Sequence, residues 1–285
     1  MREVSLFSLA FLLFALSCHS QANRASNAEI RYGNNKAAGK FYNVRGFKMY
    51  VETYGKGQPL LIVHGNGGSI KDFKYQIPYF SKKYKVIVAD SRAQGKSFDL
   101  ADSLSYEMMA DDFAALLDIM KIDSAYVIGW SDGGINGLLL TIRHPEKVKK
   151  LAVTGANLWP DTTAVFQDVI DIVMPDYTSL KNNPNKTVQQ KASWKLVRLL
   201  LEEPHISLTS LHTIQIPTLV IGGDHDVIKP KHTMLIADNI QNSYLWILPR
   251  SGHSTPVVYK DIFNNTIDDF FRLPYKKFEK QARFF

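Results

Sequence analysis

Gly129-Trp130-Ser131-Asp132-Gly133 lies between the apolar run Ala125-Tyr126-Val127-Ile128, which reads as a buried strand, and Ile135 to Arg143, which reads as an amphipathic helix. The serine therefore falls on a strand-to-helix turn. Glycines two residues to either side let the chain turn tightly without Cβ clashes. The helix behind aims its N-terminal N–H groups and positive dipole end at the serine oxygen. Gly-x-Ser-x-Gly alone recurs in unrelated loops; between a strand and a helix it is the pattern of a nucleophile elbow.

A serine hydroxyl is a poor nucleophile near pH 7, so a histidine must take its proton and a carboxylate must fix that histidine's tautomer. Both have candidates downstream. Leu219-Val220-Ile221-Gly222-Gly223-Asp224-His225-Asp226 is a strand ending in glycines and acids, and Ser251-Gly252-His253 follows the strand Tyr244-Leu245-Trp246-Ile247-Leu248. Asp224 and Asp226 are two apart, so on an extended stretch they point the same way and compete for His253. Upstream, the strand Leu60-Leu61-Ile62-Val63 breaks into His64-Gly65-Asn66-Gly67-Gly68, a loop able to approach a ligand closely. The oxyanion donors are assigned to the backbone N–H groups of Asn66 and Asp132. His64 precedes the turn, and with His253 in the base role it reads as structural.

The chain order Ser131, Asp226, His253, each on a loop after a strand, resembles that of the α/β-hydrolase superfamily, and the resemblance runs from about Phe41 to Phe271. Asp90-Ser91-Arg92-Ala93-Gln94-Gly95-Lys96-Ser97 is similar to the Asp-x-Arg-Gly-x-Gly-x-Ser loop of that superfamily, with Ala93 in place of the first glycine. Gly-Trp-Ser-Asp-Gly-Gly, an apolar helix, a His-Pro turn and then Thr154-Gly155-Ala156-Asn157 resemble the valacyclovir-hydrolase-like (biphenyl hydrolase-like) esterases. The resemblance implies an α/β fold: a mostly parallel eight-stranded sheet flanked by helices, with a small helical cap between strands six and seven. It also selects Asp226 over Asp224, because Asp226 lies just before Val227-Ile228-x-Pro230, and the alternative acid position after the sixth strand holds Asn157.

Length and composition agree with one such domain. The chain has 285 residues, 45% hydrophobic and 21% charged, without repeats or low-complexity blocks, and one α/β domain accounts for it. The net charge of +7 is scattered, with small clusters at Lys147-Lys149-Lys150 and Lys276-Lys277-Lys280. Solvated helix faces explain these better than nucleic acid does, and no nucleic-acid partner is expected. No His/Cys/Asp/Glu group has zinc spacing, so neither metal nor cofactor is implied.

Arg2 and the apolar run Leu6 to Leu16 form a short h-region, the mark of an export signal over residues 1–18. Ala15-Leu16-Ser17-Cys18 resembles a bacterial lipoprotein cleavage site, which makes Cys18, the only cysteine, a candidate for lipidation; ordinary cleavage nearby is the alternative. The mature protein is then periplasmic or lipid-anchored to a bacterial membrane. Residues 19–40 read as a polar tether and residues 41–285 as the hydrolase domain.

Phe47 to Glu52, Lys85 to Ala89 and Leu151 to Thr154 read as further strands, and Tyr106 to Met120 as a helix whose apolar spacing marks core packing. The pattern changes over 159–211, the position of the cap. Trp159, Phe166, Tyr177 and Trp194 are its candidate substrate walls, and Ala192 to Leu201 is a helical run.

These readings predict a serine hydrolase that cleaves small-molecule esters of small acids through an acyl-enzyme. The same triad acting on a carbon–carbon bond or a lactone is the rival enzyme reading, and a non-catalytic ligand-binding protein is the rival from another class. Asp132 refines the first. A carboxylate about 5–6 Å from the oxyanion opposes the transition state by about 3 kcal/mol at an effective dielectric near 20. A positive group on the substrate would offset this, and the resemblance implies one, the free α-amino group of an amino-acid ester; a carboxylate already neutralised by a protein cation, or turned away from the pocket, is the alternative.

Overall fold

The computed structural model describes residues 30–277. Its strands are β1 (Gly39–Val44), β2 (Phe47–Tyr54), β3 (Gln58–Val63), β4 (Tyr84–Ala89), β5 (Ala125–Trp130), β6 (Val148–Thr154), β7 (Thr218–Gly223) and β8 (Ser243–Leu248). They form one eight-stranded sheet in the order β1-β2-β4-β3-β5-β6-β7-β8. From β4 to β8 every pairing is parallel, whereas β2 joins both β1 and β4 antiparallel.

The strands are apolar because both faces of a parallel sheet are covered, and successive residues alternate between two cores. Leu60 and Ile62 share one face with Val86, Val88, Ile128, Ala152, Leu219 and Ile221. Leu61 and Val63 share the other with Ile87, Ala89, Val127, Leu151, Val153 and Val220. On the first face, Phe73, the short helix α1 (Gln76–Phe80) and the last helix close the core. The second is covered by α2 (Tyr106–Ile119) and α3 (Asp132–Arg143), with Phe113 and Leu138 fully inside. Truncating Phe113 to alanine removes about 3–5 kcal/mol of stability.

The insertion between β6 and β7 carries α4 (Gln167–Asn182), α5 (Val188–Glu202) and α6 (Leu208–Leu211). The helical run read over 192–201 is the C-terminal part of α5, which starts earlier at a capping box between Thr187 and Gln190. Sequence periodicity did not reveal α4, for two physical reasons. Pro175 lies inside it, where it removes a backbone donor, and none of its residues is buried, so no strong apolar stripe is needed. The chain ends its fold with α7 (Pro230–Asp238), α8 (Thr255–Val258) and α9 (Lys260–Arg272), the last burying Phe263, Ile267, Phe270 and Phe271 at helical spacing.

The expected tether does not extend to residue 40. β1 begins at Gly39, and the turn before it is held by Glu52, a fully buried carboxylate of β2. That side chain accepts from Gly33 N at 2.9 Å, Asn35 N at 2.8 Å, the Tyr50 hydroxyl at 2.9 Å and the Tyr54 hydroxyl at 2.8 Å. Polar composition suggested a free segment because its anchor lies elsewhere in the chain. The signal at 1–18 and Cys18 lie outside the described residues. Among the described residues no helix is long and apolar enough to cross a membrane.

Candidate active site

Ser131 sits between the last residue of β5 and the first of α3, at φ 58° and ψ −123°. This conformation is strained for a residue with a Cβ and lifts the side chain clear of the sheet. The flanking glycines make it sterically feasible: a Cβ on Gly129 would lie 2.1 Å from Gly133 O, and one on Gly133 would lie 2.0 Å from Val63 O. Ser131 N donates to Thr154 O at 2.8 Å, which ties the elbow to β6.

His253 Nδ1–H donates to Asp226 Oδ1 at 2.6 Å, leaving Nε2 to accept from Ser131 Oγ at 2.9 Å. Burial pushes the Asp226 carboxyl up, but the hydrogen bond and charge of His253 outweigh it and hold the group below the usual carboxylate range. Ile228 N at 3.2 Å and Gly223 N at 3.4 Å complete its shell. Asp224 faces elsewhere: its Oδ1 takes Ser251 N at 3.0 Å and meets His225 Nδ1 at 2.8 Å, and that contact pulls its pKa down to about 2.

Two residues that position His253 escaped sequence reading. Trp130, just before the nucleophile, donates its indole N–H to the His253 carbonyl at 2.8 Å. Gly155, at φ +64°, leaves room for the imidazole, since a Cβ there would be 2.7 Å from His253 Cε1. The glycine after β6 was the available signal.

The loop after β3 runs against the nucleophile, because a Cβ on Gly65 would be 3.0 Å from Ser131 Cβ. His64 is buried in this loop, with Nδ1 on Gly65 O at 2.7 Å and Nε2 accepting from Ser91 N at 2.9 Å, a structural arrangement of a neutral ring. Ala93 reaches φ 62° and keeps the left-handed turn that a glycine would take more easily. Asn66 follows Gly65, and its side-chain amide donates to Asp132 Oδ2 at 2.9 Å and to Leu196 O in α5 at 3.1 Å. Asp132 opens α3, so its backbone N–H has no acceptor within the helix.

The Asp132 carboxylate is 3% exposed. Burial lifts its pKa to about 6, with hydrogen bonding from Asn66 and Tyr106 acting in the opposite sense. Among the described residues the cationic group that acts on it is His253 when protonated.

The aromatic residues expected as substrate walls take up positions in and beside the cap. Trp159 stacks edge-on against His232 at 4.8 Å and donates to Thr163 Oγ1 at 2.6 Å, at the root of the cap. Phe166 precedes α4 with the Lys229 ammonium 5.3 Å from its ring centre. Trp194 packs on Tyr177 at 5.3 Å within the cap, and lines a cavity that contains none of Ser131, Asp226 and His253. Among the described residues no group of His, Cys, Asp or Glu is placed to hold a metal ion.

The family model of the alpha/beta hydrolase fold matches residues 58–205, more than half of the chain. The chain belongs to the α/β-hydrolase family. Its relatives include the serine hydrolase BPHL of Mus musculus, 26% identical over 248 residues, covering 80% of this chain and 84% of that protein. A pimeloyl-[acyl-carrier protein] methyl ester esterase of Legionella pneumophila (strain Corby) is 26% identical over 251 residues, covering 79% and 99%. The solved enol-lactonase of Burkholderia xenovorans LB400 shares the fold, with a TM-score of 0.68, 20% identity and coverage of 82% of this chain and 100% of that one. This α/β-hydrolase is an enzyme of a family whose named members are hydrolases and esterases.

Proposed function

We propose that the protein hydrolyses carboxylic esters of small acids through an acyl-enzyme on Ser131. The observation that carries this reading is the continuous relay Ser131–His253–Asp226, with contacts of 2.9 and 2.6 Å. Ser131 Oγ attacks the ester carbonyl as His253 Nε2 takes its proton. Asp226 steadies the imidazolium, and the N–H groups of Asn66 and Asp132 receive the developing oxyanion. His253 then returns the proton to the departing alcohol. Water, activated by the same histidine, releases the acid and frees the serine. The related methyl ester esterase supports an ester substrate.

The test is a panel of ester, amide, lactone and carbon–carbon substrates on the purified protein, with Ser131→Ala as the blank and a fluorophosphonate probe to mark the nucleophile. Ester turnover that disappears in Ser131→Ala is expected. Turnover of lactones or carbon–carbon substrates alone would select the rival chemistry, and labelling without turnover of any class would favour a ligand-binding role.

One observation favours a narrower reading, esters of α-amino acids. Asp132 is a buried carboxylate next to Ser131, met by hydrogen bonds from Asn66 and Tyr106 and by no Lys or Arg ion pair among the described residues. A substrate ammonium would supply the missing counter-charge and lower the cost of an anion next to an oxyanion. Faster turnover of free α-amino-acid esters than of their N-acetyl counterparts is the expected result; equal rates would remove this reading and leave ester hydrolysis standing.

A further inference from the structure

The geometry points to a second binding site, separate from Ser131, for an amphipathic carboxylate, between the loop Phe98–Asp102 and helix α5. A cavity of about 400 Å³ lies there, walled by Phe98, Leu100, Val188 and Trp194 with Lys186, Lys191 and Lys195. This volume is in the range of about 300–1,000 Å³ that small-molecule sites occupy. Its two walls are joined by a buried charge. Lys195, 5% exposed on α5, donates from its ammonium to Asp99 O at 2.9 Å and Ala101 O at 2.8 Å, fixing the loop opposite the helix.

The ligand class follows from the lining. Phe98, Leu100 and Val188 stand 62%, 76% and 63% exposed, an apolar surface without a cover among the described residues. Beside it the Lys186 ammonium lies 5.3 Å from the centre of the Trp194 ring, and Lys191 is exposed on the same helix. Two aspartates oppose the three lysines, but Asp99 already meets Arg92 at 3.3 Å and Ala101 N at 3.1 Å. The field left over is positive. An acyl or aryl tail would cover the exposed side chains while its carboxylate pairs with Lys191 and with Lys186, whose ammonium also donates to Asn183 O at 2.8 Å, since charge-assisted bonds to a carboxylate are the stronger kind. A neutral lipid or alcohol would satisfy the apolar wall alone.

The experiment is calorimetric titration of the full chain with octanoate and with octanol at low salt. Octanoate should bind at least tenfold more tightly than octanol, and Lys186→Glu/Lys191→Glu should weaken octanoate at least tenfold. The same double variant should keep its thermal midpoint and its turnover of a small chromogenic acetate. Binding should also persist when Ser131 carries a phosphonate adduct verified by mass. Equal affinity for octanol, unchanged affinity in the charge-reversed protein, or loss of binding on the adduct would each overturn the site. Failure of the adduct to form would count against Ser131 as nucleophile, and the lysine variant would still decide the carboxylate site.

Discussion

The indole N–H of Trp130 donates to the backbone carbonyl of His253 at 2.8 Å, so the residue that ends the nucleophile's strand also sets the height of the loop that carries the base. Replacing Trp130 with Phe keeps an aromatic ring and removes this one bond. A hydrogen bond of this kind contributes about 0.5–1.5 kcal/mol, so kcat should fall up to about tenfold while KM stays near its native value. Steady-state kinetics on one ester series checks it. A rise in KM without loss of kcat would place Trp130 among the substrate contacts instead.

Ser131 and His253 act as a unit in the proposed chemistry. Ser131→Ala and His253→Ala should each lower turnover on the order of 10⁴-fold or more, and the double variant should be little worse than either. Additive losses in the double variant would contradict a shared proton transfer.

The two acids of the β7 loop should separate cleanly. Asp226→Asn leaves a side chain that no longer fixes the His253 tautomer, and turnover should fall by about 10³–10⁴-fold. Asp224→Asn should cost only a few-fold, because Asp224 meets Ser251 N and His225 rather than His253. Kinetics of both variants under one condition decide the ranking.

Asp132 and His232 impose opposite pH slopes on stability. The folded pKa of Asp132 is raised to about 6 by burial, so its contribution is present below about pH 4 and is lost as pH rises through about 6. His232 is lowered to about 4 by burial and accepts from Leu158 N at 2.9 Å; its contribution is present above about pH 6.5 and is lost as pH falls through about 4. The native protein should therefore have a shallow profile between these limits. Thermal unfolding of Asp132→Asn should show a gain over the native protein that is larger at pH 7.5 than at pH 4.5. His232→Gln should flatten the loss toward acid. A profile unaltered by both changes would contradict these directions.

At the other end of the chain, mass spectrometry of the mature N-terminus should find diacylglycerol on Cys18. An unmodified start at a later residue would indicate simple secretion, and an intact Met1 in cells would exclude export.

Much of the active centre was legible because strand-to-loop chemistry is local: Ser131, Asp226 and His253 each follow an apolar run by a few residues. The surroundings of Trp194 were not legible, because a helix surface has several faces and composition does not state which one packs on Tyr177 within the cap. The anchoring of residues 31–39 was hidden for a different reason. Glu52 is fully buried, and beside the two tyrosine hydroxyls of its own strand it binds Gly33 N and Asn35 N, donors that only the folded turn brings to it. Ala93 shows the converse, a position where the family pattern foretold the backbone even though the residue departs from it.

Asn66 makes the cap and the reaction interdependent. One of its amide hydrogens is engaged by Asp132 and the other by the Leu196 carbonyl of α5, so the loop after β3 is fastened both to the elbow and to the cap. Under the proposed chemistry, an entry route that swung α5 outward would have to break the second fastening, and so free the side chain of a residue whose backbone N–H is proposed to receive the oxyanion.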